Sequence, residues 1–462
     1  MNFKKILPSL ITAITAILVL ILVNSVYTSE EFLQFTLIEI TKDLSISLKI
    51  DPLGGFFASL ASVLWFFTSL YATGYLAKKE RQSTFFTFFL LSLAVTLGIS
   101  FSANLFTFYL FYELLTLTTY PLVTFDKSKE AERAGVIYLI YSFAGAGFVL
   151  LGMFLVYSMT GTLDFHHQGI LAAGSGSDFQ LIATFFIFII GFGVKAAIIP
   201  LHSWLPLAMA APTPVSALLH AVAVVKAGIF GILRVMYSIY NVDLLQYLNV
   251  GIILSIIASF TIIIASIIAM KQDVLKRRLA YSTISQLGYI TLGAGMVNFA
   301  GFSGGVIHIF NHALLKITLF FCAGIIIKMT GKKKISELKG VGKQLPLTMT
   351  AFTLASIGMI GILPLNGFIS KWYLVEGSLN IGAPVFFGVL MLSSFLNACY
   401  FFPIISQAFF KEGVFEKSKN LEAPAAMLGP TLVLALACLF FGIYLDFSVP
   451  LVQTVASYFI SS

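Results

Sequence analysis

Glu113, Lys195, Lys226, Lys316 and Lys371 lie inside long apolar stretches of the chain, and His220, His308 and His312 lie in the same kind of surroundings. A charge near the centre of a bilayer costs at least ~2.5–3.5 kcal/mol on insertion scales, so residues of this kind mark ion or proton paths. His308, His312 and Lys316 are spaced i, i+4 and i+8, which stacks them on one helix face. Histidine titrates near neutral pH and suits stepwise proton transfer. Two histidines one turn apart can also hold a metal, but no Glu or Cys cluster accompanies them. The expectation is therefore a relay, with no metal and no cofactor.

Glu113 sits between Phe108-Tyr109-Leu110-Phe111-Tyr112 and Leu114. Burial and a nearby lysine act on a carboxyl proton in opposite senses, which suits exchange; the plainer alternative is a helix–helix ion pair. Lys195 comes one turn before Pro200, and a buried lysine beside a helix break can lose and regain a proton. Lys226 follows His220 by six residues, and His220 reads equally as a packed core histidine. Lys371 follows Pro364 and Gly367 and echoes Lys195 beside Pro200. Glu376, five residues on, reads as an exit group or, more simply, an interfacial charge.

The elements that must position these residues are membrane-spanning helices. Of 462 residues, 58% are hydrophobic and 10% charged, against about 25% charged in soluble domains. Apolar runs of about 20 residues exclude a β-barrel. Spans are expected near 6–27, 55–77, 84–102, 104–124, 134–159, 181–211, 213–240, 248–270, 278–297, 301–328, 346–380, 384–409 and 424–446, about thirteen in all. The run at 6–27, after Lys4-Lys5, reads as a retained first helix rather than a cleaved leader. The segments at 181–211 and 346–380 are too long for one helix and carry Pro200 and Pro364 near their middles. Proline removes a helix hydrogen bond, so both are expected to be broken.

Twenty of the 28 Lys and Arg fall in loops on one side of this layout, at 4–5, 78–81, 127–133, 271–278, 332–343 and 411–419; only Lys42 and Lys49 fall on the other. This predicts a cytoplasmic N-terminus and an outer C-terminus in an inner or cell membrane. It also assigns the net charge of +8 to topology rather than to nucleic acid. The spacing divides the chain into N-terminal helices (1–83), a five-helix unit (84–240), a second five-helix unit (248–411) and a C-terminal helix (424–462). An odd-numbered unit repeated once has inverted topology, so the expected fold is an all-α polytopic membrane protein with two inverted five-helix repeats, each with a broken helix. Only Val449–Ser462 is expected beyond the last span. Gly145-Ala146-Gly147 and the glycines of 288–305 read as small-residue helix packing, not nucleotide loops. Cys322, Cys399 and Cys438 match no haem or iron–sulfur spacing, so the chain is expected to hold no redox centre and to reach electron transfer only through a partner.

Three stretches resemble signatures of one family. They are Lys195–Pro206 with Ala211–His220, which includes His202; Asp273–Tyr289; and Leu363–Trp372. The resemblance, over roughly residues 50–410, is to the antiporter-like proton-translocating membrane subunits of respiratory complex I, membrane-bound hydrogenases and Mrp-type Na⁺/H⁺ antiporters, closest in motif style to the last two. It implies that Glu113 pairs with Lys195 in a first half-channel and that Lys226 leads to the centre. His308 and His312 would continue the polar axis, and Lys371 would serve a second half-channel. His220, Lys316, His202 and Glu376 are secondary candidates. It also implies other membrane subunits as partners, with H⁺, or H⁺ together with Na⁺, as the ion moved. Leu207 replaces a common acidic residue, Leu363 a common second proline, and one N-terminal helix of the family's fourteen is lacking. The rival functions are a stand-alone or Mrp-complex antiporter, a non-conducting scaffold of a redox complex, and an inorganic-carbon uptake subunit.

Overall fold

The computed structural model describes residues 3–29, 32–41, 44–412 and 421–460. Lys42, Lys417 and Lys419, and the side chains of Lys4 and Lys5, on which part of the charge count rests, lie outside what is described. The chain opens with α1 (Phe3–Ser29), a hairpin of β1 (Gln34–Thr41) and β2 (Leu44–Lys49), then α2 (Pro52–Tyr75), α3 (Gln82–Ser100), α4 (Leu105–Val123) and α5 (Lys129–Thr160). Next come α6 (Asp178–Lys195), α7 (Trp204–Leu207), α8 (Thr213–Ala221), α9 (Val224–Arg234) and α10 (Val242–Tyr247). They are followed by α11 (Val250–Lys271), α12 (Leu275–Gly295), α13 (Phe299–Thr330) and α14 (Val341–Gln344). The chain continues through α15 (Pro346–Ile360), α16 (Gly367–Asn380), α17 (Pro384–Phe410), α18 (Ala425–Ile443) and α19 (Leu445–Phe459).

Among the described residues, ten helices are long and apolar enough to cross a membrane. The other three expected spans fall short for reasons that bear on function. The window of α4 is diluted by Tyr, Thr and Glu113, α12 carries Lys, Arg, Ser, Thr and Gln, and α15 has only 15 residues before its break.

Helix starts follow local chemistry. Asp51, Asn104, Ser128 and Asn298 each accept an amide hydrogen bond from the first turn of α2, α4, α5 and α13, and Ser177 with Gln180 forms a capping box on α6. Inside the bundle, small residues bring backbones together. A Cβ on Gly145 would meet the Gly191 carbonyl and Val194, and one on Gly293 would meet the Gly301 carbonyl. Both glycine clusters therefore work as packing seams, since lipid provides no hydrophobic drive between helices. The centre is α9 and α13, buried almost all round, while α1, α5, α11 and α17 turn Ile, Leu and Phe outward.

The loops gather at two ends. At one, Lys79 pairs with Asp126 at 2.9 Å and Arg277 approaches Glu130 at 3.5 Å. There too, Lys328 bonds the carbonyls of Gly74 and Tyr75, and the Leu275 amide bonds Lys333. This is the basic end. At the other, the hairpin bonds Phe101 and Ala103, and Leu105 bonds Leu163.

Four expectations are corrected. The 181–211 and 346–380 segments are broken as expected, after Lys195 and after Ile360, but 213–240 is broken too. Its helix stops at Ala221 and restarts at Val224, with Ala223 at φ −91°, ψ −105°, and its last turn, Val235–Ile239, is π-helical. The all-α expectation omitted the hairpin, whose β-branched Thr36, Ile38, Ile40 and Thr41 favour strand. The 424–446 span ends at Ile443, and what was read as a bare tail from Val449 is mostly α19, with buried Val452, Val455 and Ala456. Lys276 and Arg278 are not loop charges: both are buried in the first turn of α12, and Arg278 donates to the carbonyls of Met270, Gln272 and Tyr400.

Candidate functional site

The structure brings Lys226, His312, His308 and Lys371 together along one buried line and sets Lys195 beside Glu113 in a separate cluster. On the first side, α5 packs on α6 through the Gly145–Gly191 seam, and Gly228 of α9 fits against Phe192, Lys195 and Ala196 at the end of α6. That leaves Lys195, fully buried, against α4. Its ammonium donates to the Tyr112 carbonyl at 2.5 Å and lies 3.3 Å from the centre of the Tyr112 ring. Glu113 is the next residue, half-buried, with Oε1 unpartnered. Among the described residues the two make no ion pair, so the partnership implied by resemblance is one of proximity rather than contact.

In the centre, the break at Val222–Ala223 puts Lys226 in the first turn of α9, where Nζ lies 2.9 Å from Nδ1 of His312. His312 stacks on His308 with ring centres 6.1 Å apart, one turn along the continuous α13. Nε2 of His308 is 3.0 Å from Gln286 Oε1, and Nδ1 is 2.8 Å from Ser370 Oγ. An amide oxygen only accepts, so Nε2–H donates there, and Nδ1 either accepts from the Ser370 hydroxyl or, once protonated, donates to it. The same neighbours serve both protonation states, which is what a relay requires.

On the second side, the α15–α16 break presents free carbonyls. Lys371 donates to those of Ile360 at 2.7 Å and Met359 at 3.1 Å, and to Ser394 Oγ at 2.9 Å. Its ammonium lies 5.2 Å from the Tyr289 ring, which itself stacks on His308 at 5.2 Å. Lys316 turns aside to Ser282 Oγ at 2.6 Å and the Leu279 carbonyl at 3.2 Å. No described carboxylate pairs with Lys226, Lys316 or Lys371. A buried ammonium without a counter-ion is costly, and carbonyl and hydroxyl oxygens, or an imidazole nitrogen, take that place.

His220 is buried at the end of α8 with both ring nitrogens unpartnered and its ring 4.8 Å from that of Phe320. His202 is half-buried near Tyr281 and Glu376 is exposed on α16; neither joins the line. Sequence reasoning missed Gln286, Tyr289, Ser282, Ser370 and Ser394, which join the ionisable groups. The signal was present: Ser282-x-x-Ser285-Gln286-x-x-Tyr289 places polar groups on one face of a spanning helix.

A bundle of spanning helices with broken segments and an uncompensated buried row of Lys and His defines a multi-pass membrane protein of the antiporter-like class. The chain belongs to the NADH:quinone oxidoreductase/Mrp antiporter, TM family, whose model matches residues 102–397. NADH-quinone oxidoreductase subunit N of Desulforudis audaxviator (strain MP104C) is 36% identical over 420 residues, 86% of this chain and 82% of that one. Na(+)/H(+) antiporter subunit A1 of Staphylococcus haemolyticus (strain JCSC1435) is 32% identical over 430 residues, 87% of this chain and 53% of that one. The chain thus spans about half the length of that antiporter relative. Among solved structures, a chain of the membrane-bound sulfane sulfur reductase, an archaeal respiratory membrane complex, superposes with TM-score 0.90 at 27% identity, covering 100% of this chain and 93% of that one. A chain of the Mrp complex from Dietzia sp. DQ12-45-1b superposes with TM-score 0.88 at 22% identity, over 98% and 92%, and shows the shared fold.

Proposed function

We propose that this chain is a proton- or sodium/proton-translocating subunit of a multisubunit cell-membrane complex. In this reading Glu113 and Lys195 form the first half-channel, Lys226, His312 and His308 the central relay, and Lys371 the second half-channel. His220 and Lys316 flank the centre. The observation that carries the reading is the succession of Lys226 bonded to His312, His308 stacked one turn further on, and His308 bonded to Ser370, with Lys371 reached past the Tyr289 ring and no described carboxylate paired with Lys226 or Lys371. A scaffold would gain nothing from such costly groups.

The architecture in this reading is thirteen crossings, with inverted units at 84–240 and 248–411 flanked by 1–83 and 424–462. The gathering of basic loops at one end supports it, with that end cytoplasmic. The relatives' names, a quinone oxidoreductase subunit and an antiporter subunit, support membrane-subunit partners and a role driven from a neighbouring subunit.

The test is ion flux in liposomes holding the whole purified complex, comparing wild type with Lys195→Ala and Glu113→Ala. Lost flux with assembly intact supports conduction. Unchanged flux in both leaves a scaffold beside a channel elsewhere. Activity of the chain purified alone would favour a stand-alone antiporter instead.

A further inference from the structure

At the basic end a cavity of about 570 Å³ opens between Tyr75, Asp126, Glu130, Arg277, Lys333 and Lys334. Its floor is the turn where the 3₁₀ segment Ala208–Ala210 passes through Ala211-Pro212 into α8. The carbonyls of Met209 and Ala211 line this floor, and the ammonium of Lys276 donates to both, at 2.8 Å and 2.7 Å. Lys276 is only 9% exposed.

Helix stability does not explain this placement. Lys276-Arg277-Arg278 occupies the first turn of α12, where the helix dipole disfavours cations. Nor is it a surface ion pair, since its bonds go to neutral carbonyls while Asp126 and Glu130 face it from the α4–α5 side and Lys333 from the loop after α13. Aimed carbonyl oxygens are what strip and hold a small monovalent cation in ion pathways. The lysine amine sits where such an ion would sit. From this neck α8 runs to His220, and the chain then passes through the break to Lys226.

We propose that Lys276 is a tethered cation: its ammonium fills the oxygen neck between this vestibule and the buried relay, and so keeps free Na⁺ out of the path. This rests on the conducting reading and deepens it by making the path one for protons.

The experiment uses the assembled complex in liposomes, with wild type, Lys276→Arg and Lys276→Met. Proton flux and uptake of radiolabelled sodium are followed as sodium chloride is raised, with choline chloride as control. Wild type and Lys276→Arg are expected to be indifferent to sodium. Lys276→Met is expected to lose proton flux progressively with sodium but not with choline, because the vacated oxygens then bind the ion. A complex with no wild-type flux removes the conducting reading itself. A conducting wild type whose response to sodium equals that of an assembled Lys276→Met overturns only the tethered cation, as does sodium uptake by the wild type. If Lys276→Met fails to assemble, Lys276→Cys treated with 2-bromoethylamine rebuilds the ammonium on a thioether. Sodium indifference must then return with alkylation and be absent before it. Failure of every neutral variant to assemble beside a normal Lys276→Arg would make Lys276 a structural clamp and overturn the proposal.

Discussion

The ammonium of Lys195 is bonded to the main-chain carbonyl of Tyr112, one residue before Glu113, and not to the Glu113 carboxylate. The lysine is held in place without the glutamate, so the two can be varied separately. Glu113→Gln should leave Lys195 where it is and cut flux by about 10²-fold, the lower range for loss of a positioned acid–base group. Flux in liposomes checks this. Wild-type flux in an assembled Glu113→Gln complex would remove the carboxylate from the path.

Lys226 and His312 share one hydrogen bond at 2.9 Å, so their substitutions should not add. Lys226→Met and His312→Gln should each abolish most flux, and the double variant should be little worse than either. The expected coupling is about 0.5–3 kcal/mol, as for other contacting pairs. Rates of the four proteins in one liposome series measure it; strictly additive losses would separate the two residues mechanistically.

Asp51 and Arg234 form a two-pronged buried ion pair, at 2.5 and 2.8 Å, that ties the start of α2 to the end of α9. Asp51→Asn leaves Arg234 uncompensated and should destabilise the protein by about 3–5 kcal/mol. Asp51→Leu with Arg234→Met should regain much of that loss. Denaturant unfolding in detergent micelles compares them. Equal stability of Asp51→Asn and wild type would show the pair to be solvated.

Outside the spanning segments, Asp273 links two basic-end loops, accepting from the amide of Ser336 at 3.0 Å and its hydroxyl at 2.8 Å. Partial burial raises its carboxyl proton affinity, but the Ser336 bonds and the charges of Lys334 and Arg278 outweigh that and hold it below the ordinary carboxylate value. The ionised form is therefore bound more tightly in the fold. Its contribution is present above about pH 4, the usual aspartate range, and is lost as pH falls through the depressed folded value. Protection of the Ser336 amide, taken against its intrinsic exchange rate at each pH, should fall on acidification in wild type and be reduced at neutral pH in Asp273→Asn. Protection indifferent to both changes would mean the link contributes nothing.

Much of the architecture was legible where chemistry was loud. Pro200 and Pro364 announced two breaks, and apolar runs announced the spans, because proline geometry and bilayer thickness act locally on the chain. The third break was silent. Val222-Ala223 contains neither Pro nor Gly, and the break lies in a stretch buried on every side, where tertiary surroundings rather than local residue type decide the backbone. The ionisable members of the relay were visible because charge in a membrane is costly. Gln286, Ser370 and Tyr289 were not, since an uncharged polar side chain passes unnoticed in a spanning helix until its partner across the bundle is known. Lys276 was visible as a charge but assigned to a loop, because two carbonyls 65 and 67 residues away decide its position.

The uninterrupted α13 has a consequence for its inheritance. Because no break intervenes between His308 and Lys316, these groups are locked in phase along a single rod. A one-residue insertion between His308 and His312 would turn everything downstream by about 100°, and a four-residue one by a little more than a full turn, about 40° from the starting angle. The first would point His312 and Lys316 away from Lys226 and Ser282 while the helix itself remained intact. Length changes should thus be admissible in the loops at either end, and between these two histidines only in steps that restore the angle.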